Sequence, residues 1–232
     1  MHLVISDAAE LNEFFGDIRP EYIFVTAGKS GGIQANKERP ADLMLDNLQI
    51  ACNVIESSYL YGVKRLLYLA SSCVYPRMAT QPMKPEMLMT GHLEQTNASY
   101  ATAKLAGIEL CRAYQSQYKV CFQSAVFSNV FGPNDDFSER SSHVVSGLIR
   151  RMHQAKEENR PVVEIWGTGS PKREFLHVDD LAEACIFILN KTTMAHKQTT
   201  QLTQMHDKQH GEVLIAKMSI PTLAKGPVLS KS

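Results

Sequence analysis

The sequence predicts a three-layer α/β fold built on a mainly parallel sheet. Apolar runs at residues 21–27, 66–71 and 120–128 have the length and composition of buried strands. The longer segments at 40–61 and 99–118 repeat apolar residues at helical spacing. Strands that alternate with helices in this way are typical of a doubly wound sheet, in which helices cover both faces.

The composition indicates one globular unit. The chain has 232 residues, of which 44% are hydrophobic and 21% charged, so it can bury a substantial core. A formal net charge of +0 gives no electrostatic reason to expect nucleic acid or an anionic membrane as a partner. No apolar run approaches the roughly 18 residues that span a bilayer, and the amino end lacks a signal-peptide pattern. The five cysteines have no Cys-x-x-Cys spacing, which favours reduced thiols in the cytoplasm and no metal site.

The first elements are a short apolar piece, Leu3–Ile5, and a predicted helix over residues 7–15 capped by Ser6 or Asp7. The strand at 21–27 then runs into the sequence Gly-Lys-Ser-Gly-Gly. Gly-Lys-Ser after a strand invites comparison with a phosphate-binding loop. That motif needs a glycine five positions before its second glycine, and Ile23 stands there, so an ordinary strand-to-helix turn is favoured.

Tyr100 and Lys104 lie four residues apart on the helix predicted over 99–118, so their side chains share a face. An ammonium near a phenol favours the phenolate, and we expect it to lower the pKa of Tyr100 from the ordinary value of about 10. Ser71 ends the strand at 66–71 and can hold a carbonyl oxygen against that phenol. A Tyr-x-x-x-Lys spacing is common by chance, so the order of strand, loop and helix around it carries the argument. The three residues predict an acid/base site for a carbonyl group.

Five sequence blocks together carry a family resemblance. The blocks are SSCVYP at 71–76, SYATAKLAG at 99–107, FSNVFGPND at 127–135, SHVVSGLIRR at 142–151 and WGTGSPKREFLHVDDLA at 166–182. In this order they resemble the extended short-chain dehydrogenase/reductases, and among them the GDP-L-fucose synthase family. The resemblance covers residues 7–190 and implies a partial Rossmann-like epimerase/dehydratase domain over 1–190, followed by a divergent tail over 191–232.

The resemblance implies an NADPH-dependent epimerisation and reduction that converts GDP-4-keto-6-deoxymannose into GDP-L-fucose. Ser71 and Tyr100 would bind the carbonyl oxygen. Lys104 would lower the pKa of Tyr100 and hold the nicotinamide ribose. Inverting the two carbons beside a ketone requires further acid/base groups, and the resemblance assigns that proton transfer to Cys73 and His143.

The resemblance also implies two binding sets. Arginine side chains suit diphosphate oxygens, and a tryptophan would pack beside the sugar nucleotide. The family has proline where this chain has Phe127, next to the nicotinamide. The NADP-binding set is Ala27, Gly28, Lys29, Asn47, Tyr100, Lys104 and Asn129, and the substrate-binding set is Ser72, Asn129, His143, Arg151, Trp166 and Arg173.

Members of the family commonly dimerise through two helices that correspond here to residues 40–61 and 99–118. We therefore expect a homodimer in which two apolar stripes pair across a two-fold axis. One stripe belongs to the first helix and the other to the second. They consist of Leu48, Ile55 and Tyr59, and of Leu105, Ile108 and Cys111.

Two family features have no counterpart in the sequence. The opening strand with its Gly-x-x-Gly-x-x-Gly turn is absent, and because that turn holds the pyrophosphate, we expect weak or no binding of NADP or NAD. The absent strand would leave Tyr22 and Phe24 on an open sheet edge, which we expect Leu3–Ile5 or another chain to cover. Most of the family's carboxyl-terminal substrate subdomain is also missing.

Two alternatives to the epimerase/reductase remain open at the level of the sequence. One is a catalytically inactive, truncated paralogue that acts as a binding or assembly partner. The other is an NAD-linked 4,6-dehydratase or 4-epimerase of the same superfamily. The second is less favoured, because those enzymes typically lack the combination of Cys73 and His143.

Overall fold

The computed structural model describes residues 3–31, 33–139, 142–165, 172–202 and 213–215. Within them it contains six helices, six strands and three short 3-10 turns, at 72–74, 85–87 and 95–97. The helices are α1 (Ala8–Ile18), α2 (Ile33–Glu38), α3 (Pro40–Leu60), α4 (Ala98–Tyr118), α5 (Val144–Glu157) and α6 (Val178–Leu202). The strands are β1 (Tyr22–Val25), β2 (Arg65–Ser71), β3 (Cys121–Phe127), β4 (Asn129–Phe131), β5 (Phe175–His177) and β6 (Val213–Ile215).

The main sheet has four parallel strands in the order β1-β2-β3-β6. Phe24 of β1 pairs with Leu67 of β2, and Ser71 at the end of β2 pairs with Phe127 at the end of β3. A second parallel pair joins β4 to β5. The predicted α/β class is confirmed. The predicted tail contains the end of α6 and the whole of β6.

Helices pack on both faces of the sheet, and side chains of β2 alternate between the two layers. One core cluster contains Leu66 and Tyr68 of β2 together with residues of α1, α3 and α4. The other contains Leu67 and Leu69 with Cys185 of α6. A strand covered on both faces is apolar throughout, which explains why residues 66–70 form a continuous hydrophobic run.

Two predicted apolar stripes prove to be internal to the chain. Ile55 of α3 and Ile108 of α4 are fully buried, and Cys111 and Leu105 nearly so, in the core that joins α3 and α4 to the sheet. These four are not available to a second chain, so the prediction that the stripes pair across a two-fold axis is wrong for them. Leu48 and Tyr59 are partly exposed, and a dimer through the two helices stays a prediction. Helical periodicity identified apolar faces, but it does not distinguish an intrachain face from an intersubunit one.

Leu3–Ile5 does not extend the sheet. Asn53 of α3 donates to the carbonyl oxygens of Ile5 and Ser6 at 3.5 and 2.9 Å, and the segment packs against the core. Asp7 follows at once as the N-cap of α1, where its carboxylate accepts from two backbone N–H groups. Of the two predicted ways to cover the edge of β1, the one that uses Leu3–Ile5 is therefore wrong. Coverage by another chain stays a prediction. Among the described residues, no strand pairs with β1 on its side away from β2.

Tyr22 and Phe24 remain 49% and 40% exposed on that edge. No helix in the part of the chain that the structure describes is long and apolar enough to cross a membrane.

Candidate active site

Three elements meet at the carboxyl end of β2. The strand ends at Ser71, and the 3-10 turn at 72–74 follows directly and carries Cys73. Helix α4 packs against β2 and brings Tyr100 and Lys104 to the same region. Because β1 is parallel to β2, its carboxyl end delivers Ala27 and Gly28 to this edge as well.

Lys104 is the centre of this arrangement. Its side chain is only 5% exposed, and Nζ donates to the carbonyl oxygens of Ala27 and Leu69, each at 3.4 Å. The same nitrogen lies 6.0 Å from the centroid of the Tyr100 ring. The helical spacing thus places phenol and ammonium on one face of α4, beside the end of the strand.

Burial determines the protonation of Cys73. It raises the pKa of the thiol, while a hydrogen bond from Ser71 and the charge of Lys104 act in the opposite direction. The burial effect is the larger one, so the resting group is a thiol. These interactions also show that Ser71, Cys73 and Lys104 form one cluster, with Tyr100 close enough for Cys73 to affect its pKa.

The expected lowering of the Tyr100 pKa does not occur in the chain by itself. Burial raises the pKa of this phenol above its ordinary value, and the neighbouring Cys73 acts in the same direction. Burial also lowers the pKa of Lys104. The sequence-based prediction was wrong because it considered the ammonium but not the cost of burying a phenolate beside it.

A notch at Gly28 is suited to a polar group of a cofactor. A Cβ atom at Gly28 would lie 2.8 Å from Asn47 Oδ1 and 2.9 Å from Lys104 Nζ. Asn47 is 2% exposed and its amide nitrogen donates to Lys29 and Leu43 carbonyls, but Oδ1 has no partner within the described residues. An unpaired acceptor beside an ammonium fits the hydroxyl and amide groups at the nicotinamide riboside end of a dinucleotide.

An open groove of about 350 Å³ continues from this notch. The exposed Lys29 side chain pairs with Asp46 at 2.7 Å, and Arg39 pairs with Asp42 at 2.9 Å. These ion pairs were not predicted from the sequence. The available indication was the spacing of the acidic residues, since positions 42 and 46 lie one turn apart on α3. The groove is lined by Gly28, Lys29, Ser30, Ala35, Arg39, Asp42, Leu43 and Asp46.

His143 and Arg151 lie on a different element. His143 is the exposed N-cap of α5, and its carbonyl oxygen accepts from the Gly147 N–H at 2.8 Å. Within the described part of the chain, no hydrogen bond or ion pair joins His143 to Cys73. Arg151 donates to the carbonyl oxygens of Gly147 at 3.3 Å and of Glu164 at 2.9 Å.

Three of the remaining predicted substrate-binding residues lie in described segments. Asn129 begins β4 directly after β3, and its amide donates to the Glu174 carbonyl at 3.1 Å. Arg173 precedes β5, which pairs with β4, so the two residues lie on neighbouring segments. Ser72 opens the 3-10 turn beside Cys73. Trp166 lies outside the described residues.

Comparisons with known proteins identify the family to which the sequence is similar. The model of the NAD dependent epimerase/dehydratase family matches residues 1–202. The chain is 49% identical over 189 residues to GDP-L-fucose synthase 1 from Arabidopsis thaliana, covering 82% of this chain and 58% of that protein. It is 43% identical over 202 residues to GDP-L-fucose synthase from Escherichia coli (strain K12), covering 87% of this chain and 62% of that protein.

A similar solved structure is a GDP-L-fucose synthetase from Naegleria fowleri bound to NADP. It superposes with a TM-score of 0.71 at 30% identity, covering 78% of this chain and 59% of that one. The chain therefore spans about three fifths of the length of the relatives that it matches.

Proposed function

Because the chain belongs to the NAD dependent epimerase/dehydratase family, we propose that it catalyses the GDP-L-fucose synthase reaction. In this reaction GDP-4-keto-6-deoxymannose is epimerised at the two carbons beside its ketone and then reduced with NADPH. The observation that carries the proposal is the cluster of Ser71, Cys73, Tyr100 and Lys104 at the carboxyl end of β2. The similarity to GDP-L-fucose synthases supports the choice of a GDP-sugar.

Reduction requires a hydride, which NADPH supplies when it is bound, and a proton for the carbonyl oxygen. Tyr100 donates that proton. Its raised pKa keeps the phenol protonated until the oxygen becomes negative, and the Lys104 ammonium stabilises the phenolate that remains. Ser71 donates a hydrogen bond to the same oxygen. Gly28 and Asn47, with Ala27, Lys29 and Asn129, would hold the cofactor beside this site.

Epimerisation moves protons without any change of oxidation state. At each carbon one C–H proton leaves from one face and one returns to the other, while Tyr100 and Ser71 stabilise negative charge on the ketone oxygen. Cys73 enters as a thiol, which suits the proton donor, and His143 from α5 is the partner base. The exposed ring of His143 gives it access to a substrate that lies between α5 and the end of β2.

The remaining residues bind the GDP-sugar. Arg151 and Arg173 provide guanidinium groups for the diphosphate oxygens. Trp166 lies outside the described residues, and its place beside the nucleotide stays a prediction from the resemblance. Ser72 and Asn129 offer hydroxyl and amide groups to the sugar.

We further propose a cytoplasmic homodimer that forms through the exposed faces of α3 and α4. All five cysteines are free, as expected for a reducing compartment. On α3 the outward face carries Leu45, which is 57% exposed, and Cys52. On α4 it carries Ala106 and Ala113, which are small enough for two helices to approach closely. An isologous interface needs such a self-complementary patch.

The test is to incubate the purified chain with GDP-4-keto-6-deoxymannose and NADPH. NADPH consumption matched by the formation of GDP-L-fucose supports the proposal. The variant Tyr100→Phe is the matched control, since it keeps the ring and removes the proton donor. If the folded wild-type chain gives no product and behaves like this variant, the catalytic proposal fails and the assembly-partner alternative is favoured.

A further inference from the structure

Tyr68 lies directly beside the Lys104 ammonium. It sits in the middle of β2, is 1% exposed, and its ring centroid is 5.2 Å from Lys104 Nζ. That distance is shorter than the 6.0 Å between the same nitrogen and the Tyr100 ring. A cation within about 6 Å of an aromatic face is attracted by the negative potential of the ring, more strongly when water is excluded.

The ammonium of Lys104 has few other favourable partners. Within the described residues it has no ion pair with a carboxylate. Its two carbonyl acceptors are at 3.4 Å, which is long for a charged hydrogen bond. The other titratable groups beside it are Cys73, which burial keeps protonated, and Tyr100. A buried charge with so little compensation is costly, so the ring of Tyr68 contributes substantially to holding it.

The Tyr68 ring is fixed against α4 by Gly107. A Cβ atom at Gly107 would lie 2.4 Å from Tyr68 Cζ, 2.5 Å from Oη and 2.7 Å from Cε1. Gly107 follows Lys104 by three residues, so the two share a face of α4 and contact the same ring. The hydroxyl of Tyr68 has no hydrogen-bond partner within the described residues. The ring rather than the hydroxyl is therefore the useful part of this side chain.

We propose that Tyr68 is a positioning residue of the acid/base site: its ring, seated on Gly107, holds the Lys104 ammonium beside Tyr100 in its charged form. The part of this proposal that concerns catalysis rests on the proposed function. The contact between Tyr68 and Lys104 is a property of the free chain and is tested on the free chain.

The experiment follows the titration of Lys104 by NMR in the full chain labelled with 13C-lysine. The Lys104 signal is identified by its loss in Lys104→Arg. Four samples are compared with wild type: Tyr68→Phe, Tyr68→Leu, Phe122→Leu, and a chain with pentafluorophenylalanine at position 68. Phe122→Leu is the matched control, since it removes another buried ring of the same core cluster from β3.

Tyr68→Leu should weaken proton binding by Lys104 about tenfold, the effect of losing one desolvated cation–π contact. Tyr68→Phe and Phe122→Leu should change the proton affinity of Lys104 by no more than about twofold. Pentafluorophenylalanine keeps the ring shape but reverses its potential, so it should weaken proton binding even if Tyr68→Leu fails to fold. An unchanged titration with this residue, or an equal shift in Phe122→Leu, would overturn the proposal. Neither outcome depends on catalytic turnover. A chain without activity would refute the proposed function but would not change the titration of Lys104.

Discussion

The ammonium nitrogen of Lys104 on α4 lies 3.4 Å from the carbonyl oxygen of Ala27, which follows β1 and is 77 positions earlier in the chain. The contact crosses the carboxyl edge of the sheet, and a second one reaches Leu69 in β2. The acid/base site is therefore held by two strands and a helix, and its geometry responds to changes at any of the three.

The first prediction concerns the notch between β1 and α3. Gly28→Ala should lower the catalytic activity by about 100-fold, because the new methyl group would displace Asn47 Oδ1 or Lys104 Nζ from its position. Steady-state kinetics of NADPH consumption measure the effect. Ser30→Ala, in the same groove, is the control and should retain activity. Full activity in Gly28→Ala would show that neither group needs its present position.

The second prediction concerns Gly107 and the stability of the fold. Alanine is intrinsically better than glycine in a helix by about 1 kcal/mol. At Gly107, however, its Cβ would overlap the buried Tyr68 ring, and overpacking costs about 1–3 kcal/mol or more. The overlap dominates, so Gly107→Ala should lower the free energy of unfolding in urea.

Gly16→Ala is the matched control for that measurement. Gly16 lies in α1, and its nearest neighbour would be a Tyr61 carbon at 3.7 Å, an ordinary contact. It should be neutral or stabilising. Adding Tyr68→Leu to Gly107→Ala should recover part of the lost stability, and strictly additive effects would contradict the contact.

The third prediction is a loss of stability at alkaline pH. Burial raises the pKa of Cys111 from 9.0 to about 12, so the folded chain keeps a proton that the unfolded chain releases. Stability is fully present below pH 9 and decreases as the pH rises towards 12. Between pH 8 and 10 this thiol should account for about 1 kcal/mol of the decrease in unfolding free energy.

The measurement compares the pH dependence of urea unfolding in wild type and Cys111→Ala. The quantity compared is the slope of the unfolding free energy against pH. The absolute stability is not compared, because Cys111→Ala also loses buried volume. Lys104 has the opposite effect on the pH dependence of stability. Burial lowers its pKa, so the unfolded chain binds this proton more tightly and the contribution of Lys104 to stability increases as the pH rises. An identical slope in the two proteins would contradict the role given to Cys111.

The fourth prediction tests the proposed homodimer. Ala106→Arg places a large charge on the exposed face of α4, where it should block close helix approach without disturbing the buried side. Analytical ultracentrifugation should find a dimer in wild type and a monomer in the variant. Thr102→Arg, one turn earlier on the same face, should have the same effect. A monomeric wild type at high concentration would refute the proposal.

Much of the fold follows from the sequence because β2 is covered on both faces and therefore reads as an unbroken apolar run. β3 is mostly apolar, and its polar residues Gln123 and Ser124 are buried as well. The helical spacing of Tyr100 and Lys104 likewise placed both groups at the end of β2. The pKa of Tyr100 could not be predicted, since it depends on burial created by tertiary packing. The aromatic contact of Lys104 with Tyr68 joins a helix to a strand 36 positions earlier, and no local pattern encodes it.

The most direct test of the central claim measures deuterium incorporation into GDP-4-keto-6-deoxymannose in D2O without NADPH. This exchange needs only the acid/base groups of the chain, so it is independent of dinucleotide affinity. Proton NMR should show loss of the signals from the two carbons beside the ketone in wild type, and a slowing by at least about 100-fold in Cys73→Ala. Cys52→Ala, at an exposed cysteine on α3, should exchange like wild type. A folded wild-type chain that binds the GDP-sugar but incorporates no deuterium would contradict the account.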